Sequence, residues 1–141
     1  MGYRRWFGYL AAILLLAVAC GDDTPTAGPV TIETDIDRSA SPINGTFEVT
    51  DGADVIGCSS GTVVQMQSET FGARDYVMTC ESGSNTGTFT IVSGAGDSFN
   101  WSVLESSDDF AGLLGRGVFA FDLPSPTTLT ETFTGAIEYT S

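Results

Sequence analysis

Histidine is absent from the 141-residue chain, and only five Lys or Arg stand against 18 Asp or Glu. Without an imidazole there is no Ser-His-Asp triad, no histidine metal site and no histidine acid–base catalyst. So few basic side chains exclude nucleic acid as a partner, because phosphates demand a basic surface. They equally exclude electrostatic adhesion to anionic lipid head groups. A Gly-x-x-x-x-Gly-Lys loop is missing, and the glycine clusters fall in turns between strands rather than before helices, which argues against nucleotide binding. Helical periodicity of useful length and internal repeats are missing too. The acidic groups Asp35-Ile36-Asp37, Asp51-Gly52-Ala53-Asp54 and Asp108-Asp109 lack the spacing and closing Glu of an EF-hand, and read as solvated turns and strand faces. No catalytic residue, metal ligand or cofactor is therefore assigned.

What is present begins with a leader. Arg4 and Arg5 form a positive n-region, and Trp6 to Val18 form an apolar stretch too short for a spanning helix. Residues 1–19 read as a cleaved signal peptide. Leu16-Ala17-Val18-Ala19-Cys20 resembles the lipobox of bacterial lipoproteins, with Ala17 where that family most often has Leu. The resemblance implies a lipidated Cys20 as mature N-terminus, and so a membrane anchor and export to the outer face of the cell membrane or the envelope. Arg4-Arg5-Trp6-Phe7 also resembles a twin-arginine signal; the general secretory route is the simpler reading. Residues 20–29, ending in the polar Gly21–Pro29 run, read as a flexible tether. Cleavage would remove two arginines and no carboxylate, leaving the exported part still more acidic and soluble.

From residue 30 onward, to 141, the pattern predicts one β domain. Val30, Ile32, Thr34 and Ile36 alternate with Thr31, Glu33, Asp35 and Asp37, a half-buried strand with an acidic outer face. Further strands are expected at Thr46–Thr50, Thr62–Thr70, Arg74–Cys80 and Gly87–Ser93. The stretch Trp101–Phe121 reads as strand, glycine-punctuated turn, strand, with Phe99, Trp101 and Val103 on one face, Phe110-Ala111-Gly112-Leu113 and Gly115-Arg116-Gly117 between the strands, and Gly117, Phe119 and Phe121 on one face after the turn. Pro124-Ser125-Pro126 breaks the chain before a last strand, Leu129–Tyr139. Eight short consecutive strands suggest an up-and-down barrel or a sandwich.

With Cys20 assigned to lipid, Cys58 and Cys80 remain as an even pair in an oxidising compartment. They are expected to form a disulfide joining the segment before the third strand to the end of the fourth. The sequons at Asn44 and Asn100 read as chance in a bacterial lipoprotein.

Gly57-Cys58-Ser59-Ser60-Gly61, Thr79-Cys80-Glu81-Ser82-Gly83 and Gly87-Thr88-Phe89-Thr90-Ile91 resemble small secreted actinobacterial proteins of unknown function. Those in turn resemble the allene oxide cyclase and dirigent barrel. Trp101-Ser102-Val103-Leu104, Phe110-Ala111-Gly112-Leu113 and Gly115-Arg116-Gly117 carry the rest of the likeness; Ser106-Ser107-Asp108 replaces the family's Gly-Thr-Gly turn. The resemblance implies an all-β, eight-stranded antiparallel up-and-down barrel and a capacity to oligomerise. It transfers no catalytic residue.

Two inward-parity charges stand out. Glu131 shares parity with Leu129 and Phe133, and Arg74 with Tyr76, Met78 and Cys80. The favoured expectation for Glu131 is an exposed barrel end or a bulge that reverses its face, since a buried carboxylate needs a partner or a shifted pKa. The leading functional expectation is a lipid-anchored barrel that binds a small apolar ligand. Phe99, Trp101, Phe119, Phe121 and Phe133 would line a cavity or, as the simpler reading, fill a core. Arg74, Tyr76 and Glu131 would supply its polar groups. The alternatives are a cyclase or isomerase using those same three groups, and a non-catalytic envelope or adhesion protein acting through its acidic surface.

Overall fold

A computed structural model describes residues 26–140. The expected signal peptide of residues 1–19, Cys20 and the expected tether up to residue 25 lie outside the described residues. Eight strands follow one another: β1 (Ala27–Asp37), β2 (Asn44–Asp51), β3 (Ser60–Gln67), β4 (Arg74–Ser82), β5 (Thr88–Ser93), β6 (Asn100–Ser106), β7 (Leu113–Ser125) and β8 (Thr128–Tyr139). Each pairs with the next, and β8 closes antiparallel on β1, so the sheet is a complete up-and-down barrel. Closure removes the unpaired edges that would otherwise template aggregation.

The period-two pattern explains the strands. In β1, Val30, Ile32, Thr34 and Ile36 are buried while Glu33, Asp35 and Asp37 face out. The barrel interior is packed solid through its middle by Ile32, Val63, Met78, Phe89, Ile91, Trp101 and Phe133. Aromatic rings touch along its length. Phe119 stacks at a tilt on Phe133 (5.9 Å between centroids), and Phe133 meets Tyr76 (5.3 Å) and Trp101 (6.2 Å) edge-on.

The two ends differ. At one, the helical turn α1 (Ala53–Ile56) folds over the barrel and buries Ile56. Its carbonyl at Ile56 accepts from the Tyr139 hydroxyl (2.7 Å) and from Asn85 Nδ2 (3.1 Å), so the last turn is satisfied without a longer helix. Cys58 and Cys80 are disulfide-bonded at this closed end, as expected. The chain also enters and leaves here: the Tyr139 N–H donates to the Thr26 carbonyl. The other end carries the β1–β2, β3–β4, β5–β6 and β7–β8 connections and stays open.

Three boundaries depart from the sequence reading. β1 begins at Ala27, inside the expected tether. Pro29 is tolerated there because the β1–β2 ladder starts only at Thr31. The turn before β7 is Ser107–Gly112, containing a 3-10 turn at Asp108–Phe110, and Gly115-Arg116-Gly117 lies within β7 rather than before it. Gly117 faces Gly135 of β8, and a Cβ on either would run into the other strand's backbone, so these glycines permit a tight crossing of β7 and β8. Pro124 does not end β7, which runs on to Ser125 with a register shift after Asp122.

Candidate functional site

At the open end the barrel interior is not filled. A cavity of about 290 Å³ is lined by Arg38, Gln65, Arg74, Tyr76, Ser93, Phe119, Phe121, Leu123, Leu129 and Glu131, with Gly72 and Gly94 at its edge. Its floor is polar, and its lip combines apolar side chains with Arg38 and Arg74. Two larger depressions, of 660 and 540 Å³, lie on the outer wall. The first is bordered by Glu33, Asp35, Glu48 and Glu81, the second by Leu114, Arg116, Ala136 and Glu138. The first also reaches Thr34, Phe47, Gly61 and Glu131.

Glu131 makes the floor. Its side chain is only 4% exposed. Phe119 pairs with Phe133 and Phe121 with Glu131 in unbroken register, so no bulge turns the carboxyl outward. The expectation that Glu131 sits at an exposed end is thereby overturned: the barrel continues past it through Leu129 and Phe121. Its Oε1 is buried without a hydrogen-bond partner. Burial pushes the carboxyl above its ordinary range, while the neighbouring Tyr76 hydroxyl and the positive charge of Arg74 act the other way.

Tyr76, buried on β4, is reached from its cross-strand neighbour: Gln65 Nε2 donates to the Tyr76 hydroxyl at 2.8 Å. Burial, with the Glu131 charge beside it, pushes the phenol far up and keeps it protonated. Ser93, buried on β5, is a further polar neighbour of that hydroxyl. Arg74, the first residue of β4, is exposed at the lip and sends its charge toward Glu131.

Of the eight residues expected to line an interior site, the structure brings Arg74, Tyr76, Phe119, Phe121 and Glu131 to this cavity. Trp101 and Phe133 lie beneath it in the packed core, where the Trp101 indole N–H donates to the Thr134 carbonyl (3.1 Å). Phe99 belongs to neither. It sits in the β5–β6 connection, exposed, its ring 5.7 Å from that of Phe119. Sequence reasoning missed Gln65, Ser93 and Arg38. Each had a legible signal in its parity, with Val63, Ile91 and Ile36 respectively, but a polar residue at the end of an apolar alternation also reads as the start of a turn.

Apolar side chains continue beyond the cavity. Phe71 in the β3–β4 turn is 83% exposed, and Phe99, Phe121 and Leu123 are about half exposed or more. The acidic turns, by contrast, satisfy themselves. Asp37 accepts from the Ser39 N–H and hydroxyl, which holds its carboxyl below the usual range, and Asp109 accepts from the Thr86 N–H and hydroxyl.

Compared with protein-family models, with curated proteins and with solved structures, the chain gave no match.

Proposed function

We propose that this protein is a lipid-anchored, extracytoplasmic binding barrel that takes a small, largely apolar ligand at its open mouth. One observation carries the reading: a buried carboxyl with a free oxygen forms the floor of a cavity whose lip includes Phe119, Phe121, Leu123 and Leu129. Buried polar groups in native proteins are nearly always partnered, and a concave, mostly apolar site with a few convergent polar groups is what small ligands occupy. The lipobox-like Leu16–Cys20 stretch supports the anchor, and the Cys58–Cys80 disulfide suits an oxidising compartment. The kinship to allene oxide cyclase and dirigent barrels belongs to the same proposal; the closed eight-stranded barrel is compatible with it.

The anchor would also orient the site. Six peptide links join Cys20 to Thr26 and reach at most roughly 20 Å, whereas the 11 residues of β1, tilted as barrel strands are, rise roughly 25 Å from the closed end to the mouth. A barrel held at Cys20 therefore presents its mouth away from its own membrane.

The test is native mass spectrometry of the chain purified from its host envelope, repeated after denaturation. The expected result is a covalent acyl mass on Cys20 that survives unfolding and a small-molecule adduct that does not. An unmodified Cys20 would overturn the anchor. A mouth that carries no adduct and takes up no neutral naphthylamine probe would overturn the ligand reading.

A second reading, an isomerase or cyclase, draws on the convergence of Glu131, Tyr76 and Arg74. It requires that the bound compound be converted, so recovery of a chemically altered adduct after incubation would favour it over simple carriage.

A further inference from the structure

Resting on the mouth being a ligand site, we propose that its ligand is a small apolar monocarboxylic acid bound head-down. Its carboxylate meets the Glu131 carboxyl and the Arg74 guanidinium, and its hydrocarbon body lies against Phe119, Phe121, Leu123 and Leu129.

Three observations converge. The first is polarity: the floor holds Glu131, Tyr76, Gln65 and Ser93, while Phe119, Phe121, Leu123 and Leu129 form the apolar part of the wall, so a polar group is drawn to the floor and to Arg74 rather than to that wall. The second is charge. The described residues contain three cationic side chains, Arg38, Arg74 and Arg116, and two of them line this one cavity of a strongly acidic protein. A ligand ammonium would meet both guanidiniums, whereas an anion is drawn to them. The third is the Glu131 carboxyl itself, which lines the cavity. A carboxylic acid and a carboxylate share one proton in a short O–H···O bond, which a second full charge, as in a phosphate dianion, would oppose. The volume of 290 Å³ is at the low end for ligand pockets, which limits the body to roughly one ring or a short chain.

The groups facing Glu131 define its proton balance. They are Thr34 across β1, Phe121 across β7, Tyr76 and Arg74 from β4, Gln65 from β3, Ser93 from β5, and Arg38 after β1. No other carboxylate lines the cavity among the described residues. One proton must therefore be present between the two carboxyls in the complex. If Glu131 is ionised in the free protein, binding takes that proton from solvent. Affinity then falls as pH rises.

The experiment is calorimetric titration of the full chain, as its host makes it, with benzoate, benzamide and benzylamine at about pH 5 and about pH 8. Benzoate is expected to bind at least about tenfold more tightly than benzamide at the lower pH, and more weakly at the higher. Benzylamine should not bind. Arg74→Gln should lose the preference for benzoate. Glu131→Gln, whose amide N–H donates to a carboxylate at every pH, should keep benzoate binding and flatten its pH dependence, a result that a merely structural role would not produce. Tighter binding of benzylamine, equal binding of benzoate and benzamide, or an unchanged pH profile in Glu131→Gln would overturn the proposal. A neutral naphthylamine probe separates the two levels. If it binds and benzoate does not displace it, the ligand class is wrong and the ligand site stands; if neither binds, both fall.

Discussion

Gln65 donates its side-chain amide to the Tyr76 hydroxyl at 2.8 Å, and in doing so fixes where the phenol proton goes. An oxygen that accepts from Gln65 turns its own hydrogen elsewhere, and the Glu131 carboxylate is the acceptor beside it. The three residues come from β3, β4 and β8, so the relay spans the barrel end rather than one hairpin. Tyr76→Phe should leave the ring packing on Phe133 intact, strip the Gln65 hydrogen bond and remove the hydroxyl beside Glu131. The expected cost is about 1–3 kcal/mol in urea unfolding, because Glu131 loses a donor it cannot replace from solvent. The Glu131 carboxyl should move further up, read by NMR titration of its side-chain carbon. An unchanged titration would show that Tyr76 does not serve Glu131.

Glu131 makes stability depend on pH with a definite sign. Its carboxyl sits above its ordinary 4.5 because burial disfavours the charged form. The folded state then binds the proton more tightly than the unfolded one, so this contribution is fully present below 4.5 and is lost as pH rises through the folded value. Glu131→Gln carries no such dependence. The difference in urea midpoint between the variant and the native protein should be small near pH 4 and should grow in favour of Gln toward neutrality, then level off. Taking the difference cancels the other carboxylates, which titrate in both proteins. A difference that shrinks with rising pH would reverse the assignment.

The disulfide is separable from the mouth. Cys58 and Cys80 are 22 residues apart and lie at the closed end, near α1. In the chain-entropy account their link restricts the unfolded state by about 3 kcal/mol. Replacing both with Ser should lower stability by about that amount and leave probe binding at the mouth unchanged. A comparable loss of binding would mean that the two ends are coupled through the barrel, which the solid middle core gives no reason to expect.

How much of this was legible in the sequence follows from what sets each feature. Alternation fixed the strands, because a closed barrel buries every second residue of each one. The disulfide followed from two cysteines and an expected oxidising compartment. β7 was misjudged because Gly115-Arg116-Gly117 has the composition of a turn. Only the facing strand shows that Gly117 is glycine for want of room against Gly135. Glu131 was legible in parity and mistrusted on energetics. Nothing local announces that Tyr76, from a strand more than fifty residues away, stands beside it. Arg38 and Ser93 enter the mouth only through closure of the sheet, which no single stretch of sequence encodes.

Two phenylalanines of the same inward parity should separate folding from binding. Phe133 is wholly buried and touches Tyr76, Trp101 and Phe119. Phe133→Ala should open a hole in a packed middle layer and cost about 3–5 kcal/mol. Phe121, opposite Glu131 on β7, is 55% exposed at the lip. Truncating it removes little buried surface, so Phe121→Ala should change stability by no more than about 1 kcal/mol. It forms one wall of the cavity, however, and its loss should weaken uptake of a neutral naphthylamine probe by about tenfold, since an aromatic face contributes on the order of 1.4 kcal/mol or more to such contact. Fluorescence titration beside urea unfolding of both variants checks this. If Phe121→Ala binds the probe as the native chain does, the mouth is not where apolar molecules go; if it unfolds as readily as Phe133→Ala, the lip belongs to the core.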